Sequence, residues 1–204
     1  VSSGCLNCYM YRMSPQFGRN PSVVELTRAG LKNEVAAALI RKMGRLIFVN
    51  SMSDTFHRDI PDWRIAAWFE LFKHFPDHQF QVLTKRPLRM LNFQRDYYPK
   101  GFPPNIWAGT SVEDQRVRGR IDILRQVKAK VRFVSFEPLI GDVGRLDFTG
   151  IHWAIVGGES DNKAPRPMNP EWAASVIGQA HTQGAAVFFK QLGGRFCQVD
   201  GPSR

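Results

Sequence analysis

Six short apolar runs recur along the chain, and they constrain its fold more than any other feature. They are LIFVN (46–50), FQVLT (80–84), IWAGT (106–110), VRFVS (131–135), WAIVG (153–157) and VFFKQ (187–191). Each run is almost continuously apolar, which is typical of a strand that is covered on both faces in a parallel sheet. The sequence therefore predicts a parallel sheet built from these runs.

Amphipathic helical patterns separate several of the runs. Helices are predicted over DWRIAAWFELFKHF (62–75), over a segment from Val117 to Leu124, over a segment that begins at Asn169–Pro170, and over residues 31–43. The stretch PSVVELT (21–27) fits either a seventh strand or the start of a helix. Alternating strands and helices predict right-handed βαβ units, arranged as an open doubly wound sheet or as a barrel.

Polar and ionisable residues lie at or directly after the carboxyl end of every run, and their distribution favours the barrel. They include Asn50, Ser51, Asp54, His57, Lys85, Arg86, Ser111, Glu113, Glu137, Glu159, Lys190 and Gln191. An open sheet concentrates such residues at one switch point, whereas every loop after a strand converges on one mouth in a barrel. We predict an α/β fold with a partial or complete (β/α) barrel of TIM type. A chain of 204 residues suits one domain, which we place at 1–194, with a tail at 195–204.

Ionisable residues at three strand ends are candidates for substrate binding and catalysis. Lys85 and Arg86 can bind a carboxylate or a phosphate. Glu137 precedes Pro138 at a strand end, and we expect it to pair with one of these two cations. His57 can titrate near neutral pH, although a capping role together with Asp54 explains it equally well.

Neutral and glycine-rich strand ends are candidates for cofactor binding. Asn50 and Ser51 can form uncharged hydrogen bonds at the mouth. Gly157 and Gly158 would let a ligand approach the backbone closely, and Glu159 can accept hydrogen bonds from an ammonium or a ribose. Alternatively, the two glycines only make the turn.

Cys5 and Cys8 form a C-x-x-C pair close to the first residue of the chain. The pair is compatible with a zinc knuckle, a redox-active dithiol, an iron–sulfur site or two unligated thiols. The only other cysteine is Cys197 in the Gly-rich tail, so no disulfide framework is expected. Sparse cysteine favours a reduced cytoplasmic compartment. No run reaches the length of a membrane span, and no signal peptide is evident.

The chain carries a large excess of positive charge. Twenty-eight Lys and Arg against 18 Asp and Glu give a net charge of +10. This balance favours phosphate-bearing partners such as nucleic acid or a phosphorylated substrate, although a basic solvated surface is an equal alternative. RVRGRIDILRQVKAKVR (116–132) is the most basic stretch.

Eight segments in order carry a resemblance to a known family. They are VSSGCLNCY, FVNSMSDTFH, QVLTKRP, IWAGTSVEDQ, VRFVSFEPL, WAIVGGES, APRPMNPEW and FFKQLGG. Over about residues 1–194 the chain resembles the uncharacterised bacteriophage-protein family of three-cysteine-motif proteins, which are related to radical SAM enzymes. The resemblance implies a partial TIM-type barrel and a [4Fe–4S] cluster that cleaves S-adenosylmethionine to a radical. It implies that Cys5 and Cys8 are two of three cluster ligands.

Two further expectations rest on the resemblance. The family's third cysteine and its first barrel strand would both precede Val1, so we expect this chain to be either shortened at its N-terminus or a decayed copy. The segment Gly157-Gly158-Glu159 is similar to a Gly-Gly-Glu that contacts the methionine amino group in many radical SAM enzymes, although there it follows an early strand. The implied function is a radical-SAM-like iron–sulfur protein of phage or prophage type. The alternatives are a non-enzymatic nucleic-acid-binding phage protein and an iron-free barrel lyase that uses Glu137 and Lys85.

Overall fold

The structure is a computed structural model that describes residues 5–8, 10–21, 23–24, 44–160 and 164–193. These residues form six strands: β1 (Leu46–Val49), β2 (Gln79–Thr84), β3 (Ile106–Ser111), β4 (Arg132–Phe136), β5 (Trp153–Gly157) and β6 (Ala186–Gln191). The helices are α1 (Met10–Met13), α2 (Asp62–Lys73), α3 (Pro87–Tyr97), α4 (Arg120–Gln126) and α5 (Pro170–Thr182), with 3-10 turns at Ser14–Phe17 and Gln115–Val117. The predicted helix at 31–43 and the tail at 195–204 lie outside the described residues, as does most of PSVVELT.

All six predicted strands are present, and they form one parallel sheet whose order, β1 to β6, follows the chain. The sheet curls into a half-barrel, which is consistent with a partial (β/α) barrel. Alternate strand residues on the convex face, such as Phe80, Val82 and Ala108, pack with the helices into the apolar core. The residues between them face the concave side, and the loops after the strands gather at one edge of the sheet.

The prediction that every strand is covered on both faces is wrong for the two outer strands. Leu46 and Phe48 of β1 are 55% and 43% exposed, and Phe188 and Phe189 of β6 are 50% and 42% exposed. Among the described residues each of these strands pairs with one neighbour only. An apolar run cannot distinguish such an edge strand from a central one, because both favour β-branched and aromatic residues.

Helix starts follow the predicted capping chemistry where the sequence signals are clear. The Asn169 side chain accepts a hydrogen bond of 2.9 Å from the Glu171 N–H, and Pro170 occupies the first turn of α5. The segment from Val117 to Leu124 is not one helix, because the chain changes from a 3-10 turn to α4 around Gly119. Helix α3 was not predicted. None of the described helices has the length and apolar character that crossing a membrane requires.

Candidate functional site

Asp54 joins the loops that follow β1 and β2 at the mouth of the half-barrel. Its Oδ1 accepts a hydrogen bond of 2.7 Å from the Thr84 hydroxyl and one of 2.9 Å from the Phe56 N–H. Its Oδ2 accepts 2.6 Å and 3.2 Å bonds from the Arg86 guanidinium and the Lys85 N–H. Arg86 is thus engaged by a carboxylate of the protein itself.

The other predicted residues after β1 lie in the same loop as Asp54. Asn50 has a left-handed backbone (φ 56°), and its amide donates a 2.8 Å hydrogen bond to the Thr55 hydroxyl. Ser51 is exposed. Burial, followed by the charge of Arg86, lowers the pKa of His57 below its ordinary value, although Asp59 lies 3.4 Å from the imidazole. The lowered pKa favours the neutral imidazole of His57.

Glu113 is the most deeply buried acid at the mouth, with no exposed surface. One carboxylate oxygen contacts the Lys85 ammonium, and the other accepts a 3.0 Å hydrogen bond from Arg120. Arg120 also donates a 2.9 Å bond to the Ser111 carbonyl. We refer to Lys85, Glu113 and Arg120 as the Glu113 triad. A buried carboxylate of this kind requires paired cations, because an isolated buried charge is costly.

Glu137 pairs with Lys190, and the expectation that it would pair with Lys85 or Arg86 is wrong. The Glu137 carboxylate lies 3.1 Å from the Lys190 ammonium and accepts a 3.2 Å hydrogen bond from the Ser135 hydroxyl. A Cβ placed on Gly157 would lie 2.8 Å from Glu137 Oε1. Glycine at this position therefore lets the Glu137 side chain cross β5 toward β6.

Glu159 is 5% exposed and is held by two partners. Arg166 donates to it from its backbone N–H at 2.9 Å and from its guanidinium, and the Asn7 amide donates to it at 2.9 Å. Burial alone would raise the pKa of Glu159, but the hydrogen bonds from Arg166 and Asn7 outweigh burial and hold it below its ordinary value. We refer to Asn7, Glu159 and Arg166 as the Glu159 clasp.

The glycines before Glu159 are in contact with the protein's own chain. The Glu137 carboxylate occupies the room beside Gly157, and a Cβ on Gly158 would collide with the Leu192 carbonyl. A cofactor-binding role for Gly157, Gly158 and Glu159 stays a prediction. For these positions the structure supplies a packing reason that requires no ligand.

The cysteine loop lies at the same edge of the sheet as Glu159. Asn7, between Cys5 and Cys8, donates to Glu159 and also to the Ala164 carbonyl at 3.2 Å. Both thiols are half-buried and form no disulfide. Glu159 is the main cause of the raised pKa of Arg166, and the nearby Cys5 adds a smaller contribution.

The metal-binding capacity of this edge is limited in the residues that the structure describes. Cys5 and Cys8 supply two thiol ligands, and the described ranges contain no group of three or more His, Cys, Asp or Glu side chains that could hold an ion. Cys197 lies outside those ranges. A cluster that is held by three cysteines would fit the position of the loop but not its number of ligands.

The basic stretch at 116–132 is used largely to hold loops. Arg118 donates to the Arg145 carbonyl at 3.1 Å, and Arg125 donates to the Thr149 carbonyl at 2.8 Å. Arg132 donates to the Gly150 carbonyl at 2.6 Å. Three arginines of this basic stretch are therefore directed at backbone carbonyls of neighbouring loops.

Sequence reasoning missed Arg120, Arg166 and Asn7, although each completes an ion pair or hydrogen bond at the mouth. Arg120 and Arg166 each follow their carboxylate partner by seven residues. That spacing has no meaning in a regular strand or helix, because it arises from the loop between them. The acidic residues at the strand ends were the sequence signal that could have led to these arginines, because a buried carboxylate needs a nearby cation.

Comparison with known proteins gives one match. Residues 1–200 match the family model described as "Protein of unknown function (DUF5131)". No curated protein and no solved structure matches the chain.

Proposed function

Because the chain belongs to the DUF5131 family of proteins of unknown function, we propose a function from its geometry: a radical-SAM-like iron–sulfur protein that binds a phosphate-bearing substrate at the mouth of the half-barrel. One observation carries the proposal. The Asn7 amide bonds to Glu159 at 2.9 Å, and this places the loop with Cys5 and Cys8 beside the ends of the strands. Thiol ligands and ionisable side chains then surround one mouth.

The number of thiolates limits what the described residues do alone. Cys5 and Cys8 would hold iron, and a third ligand would come from outside the described residues. A cluster, when complete, would supply the electron that cleaves S-adenosylmethionine. The radical chemistry belongs to the cofactor, whereas the protein supplies binding, orientation and exclusion of water.

The protein's own side chains account for binding and orientation. The side chains of Lys85 and Lys190 are 25% and 53% exposed at the mouth, although the ammonium group of each is paired with a carboxylate. They are available to a phosphate that approaches from solvent. The Glu159 clasp positions the cysteine loop, so Glu159 acts here as a positioning residue.

Anaerobic reconstitution with iron and sulfide tests the proposal. We expect the wild-type chain to bind both and to acquire the broad visible absorption of iron–sulfur charge transfer. The double variant Cys5→Ser/Cys8→Ser should bind neither. Cys197→Ser tests whether the tail supplies the third ligand, because its iron content would then fall. Asn92→Ala, at an exposed site on α3, is the control that should behave as wild type. If the double variant bound as much iron per protein as the wild type, that result would contradict the proposal.

Two other outcomes would favour the alternatives. A colourless protein that binds DNA, and loses affinity steeply with salt, would indicate a nucleic-acid-binding protein. A colourless protein whose activity depends on Lys85 and Glu137 would indicate an iron-free lyase.

A further inference from the structure

The concave face of the sheet carries a row of residues that the core does not use. Phe48, Gln81 and Trp107 are register neighbours on β1, β2 and β3. Their sequence neighbours Val49, Val82 and Ala108 pack into the convex core. Because side chains alternate along a strand, the row Phe48–Gln81–Trp107 faces the concave side.

Aromatic rings dominate this face. Trp107 and Trp153 meet edge to face with centroids 6.3 Å apart, and Phe133 lies 5.7 Å from Trp153. Both tryptophans are half-buried, and Phe48 and Phe188 are 43% and 50% exposed on the outer strands. The concave face therefore presents accessible aromatic surface on which a flat ring can stack.

Gln81 is a polar residue on this aromatic face. Its side chain is 6% exposed, and its amide nitrogen has no hydrogen-bond partner among the described residues. A buried amide donor without a partner is unfavourable unless another group accepts its hydrogen bond. A ring nitrogen or carbonyl oxygen of a bound heteroaromatic compound could accept this hydrogen bond, once the amide rotates toward the concave side of the sheet.

The charged residues above this face have a small positive excess. The Glu113 triad and the Glu137–Lys190 pair together contain three cations and two carboxylates. They lie beyond Ser111 and Ser135, which are register neighbours at the carboxyl end of the sheet. A ligand whose ring lies on the aromatic face would place an anionic group near these cations.

We propose that the concave face is a binding site for a nucleotide-class ligand, with its base stacked on Trp107 and hydrogen-bonded by Gln81. Its phosphate lies at Lys85 and Lys190. The inference rests on the mouth of the proposed function and names its substrate class, but it requires no iron.

Calorimetric titration with adenosine 5′-monophosphate, uridine 5′-monophosphate, adenosine and ribose 5-phosphate tests the site. We expect at least one nucleotide to bind about tenfold more tightly than the matching compound without phosphate or without base. Gln81→Met and Trp107→Leu should each weaken nucleotide binding about tenfold. Trp63→Leu is the control, because Trp63 is a 63% exposed tryptophan on α2, and it should leave binding unchanged.

Several results would overturn the inference. These are no binding of either nucleotide, equal binding of nucleotide and ribose 5-phosphate, or unchanged affinity in a Trp107→Leu variant with a wild-type unfolding midpoint. The Cys5→Ser/Cys8→Ser variant separates the two proposals. Nucleotide binding retained in that variant supports the site whether or not iron is bound. If the wild-type protein takes up iron but binds no nucleotide, the iron–sulfur proposal is unaffected and the proposed nucleotide site is wrong.

Discussion

The side-chain amide of Asn7 donates a 2.9 Å hydrogen bond to the Glu159 carboxylate, although 152 residues separate the two along the chain. The contact ties the cysteine loop to the end of β5. Arg166 holds the same carboxylate from a third segment. The Glu159 clasp therefore joins three parts of the chain at the mouth through one buried acid.

Removing the Asn7 amide should loosen the cysteine loop. With Cys197→Ser as background, we expect Asn7→Ala to raise the alkylation rates of Cys5 and Cys8 about fivefold, because one hydrogen bond contributes about 1 kcal/mol. Mass spectrometry after timed iodoacetamide treatment measures both rates. Asn92→Ala, at an exposed site on α3, is the control, and equal rates in the two variants would show that the clasp does not restrain the loop.

Acid should destabilise the protein through Glu159. Its pKa is lowered in the folded state, so its stabilising contribution is present above the unfolded pKa of about 4.3 and is lost as pH falls through the folded pKa. Urea unfolding between about pH 6 and about pH 3 should show a steeper loss of stability in wild type than in Glu159→Gln. Parallel pH profiles would contradict the assignment.

The Glu113 triad should be the most sensitive group of charges at the mouth. Glu113→Gln leaves Lys85 and Arg120 without a buried counter-charge and should cost about 3–5 kcal/mol in unfolding free energy. Lys85→Met leaves the Arg120 bond in place and should cost less. Asp96→Asn on the exposed face of α3 is the control. If Glu113→Gln lowered the free energy of unfolding as little as Asp96→Asn does, the charges of the triad would not stabilise one another.

Two glycines should respond oppositely to alanine. A Cβ on Gly109 would collide with the Phe133 ring, so Gly109→Ala should destabilise by about 1–3 kcal/mol as overpacking. Gly178 has no atom within 4 Å of such a Cβ and lies within α5. Gly178→Ala should stabilise by about 0.5–1 kcal/mol through helix propensity. Urea denaturation measures both, and a neutral Gly109→Ala would contradict the close packing of Phe133.

The strands could be predicted because each is a short apolar run with a polar end, and this pattern needs no knowledge of partners. Helix α3 was not predicted because the polar pair Lys85-Arg86 and then Pro87 follow the strand directly, a pattern that is typical of a loop. Pro87 instead occupies the first turn of the helix, where its missing N–H costs nothing. Gln94 also weakened the amphipathic pattern of this helix, because it is polar but buried and donates a hydrogen bond to the Tyr98 carbonyl.

The pairing at the mouth could not be read from the sequence. The sequence places Lys85, Glu113 and Glu137 at strand ends. Which cation pairs with which carboxylate depends on how the loops after neighbouring strands pack against one another. Glu137 reaches Lys190 because Gly157 lies between them. Likewise, Arg120 reaches Glu113 across a loop that contains the 3-10 turn at Gln115–Val117.

The strand order that follows the chain has a consequence for synthesis on the ribosome. Each strand from β2 to β6 pairs with the one made immediately before it, so the sheet can be extended one unit at a time as the polypeptide emerges. Among the described residues, the sheet needs no partner from a distant part of the chain until β5 and its loop are complete. Only then can Asn7 hold the loop of Cys5 and Cys8 against Glu159, which makes the anchoring of this loop a late event in biogenesis.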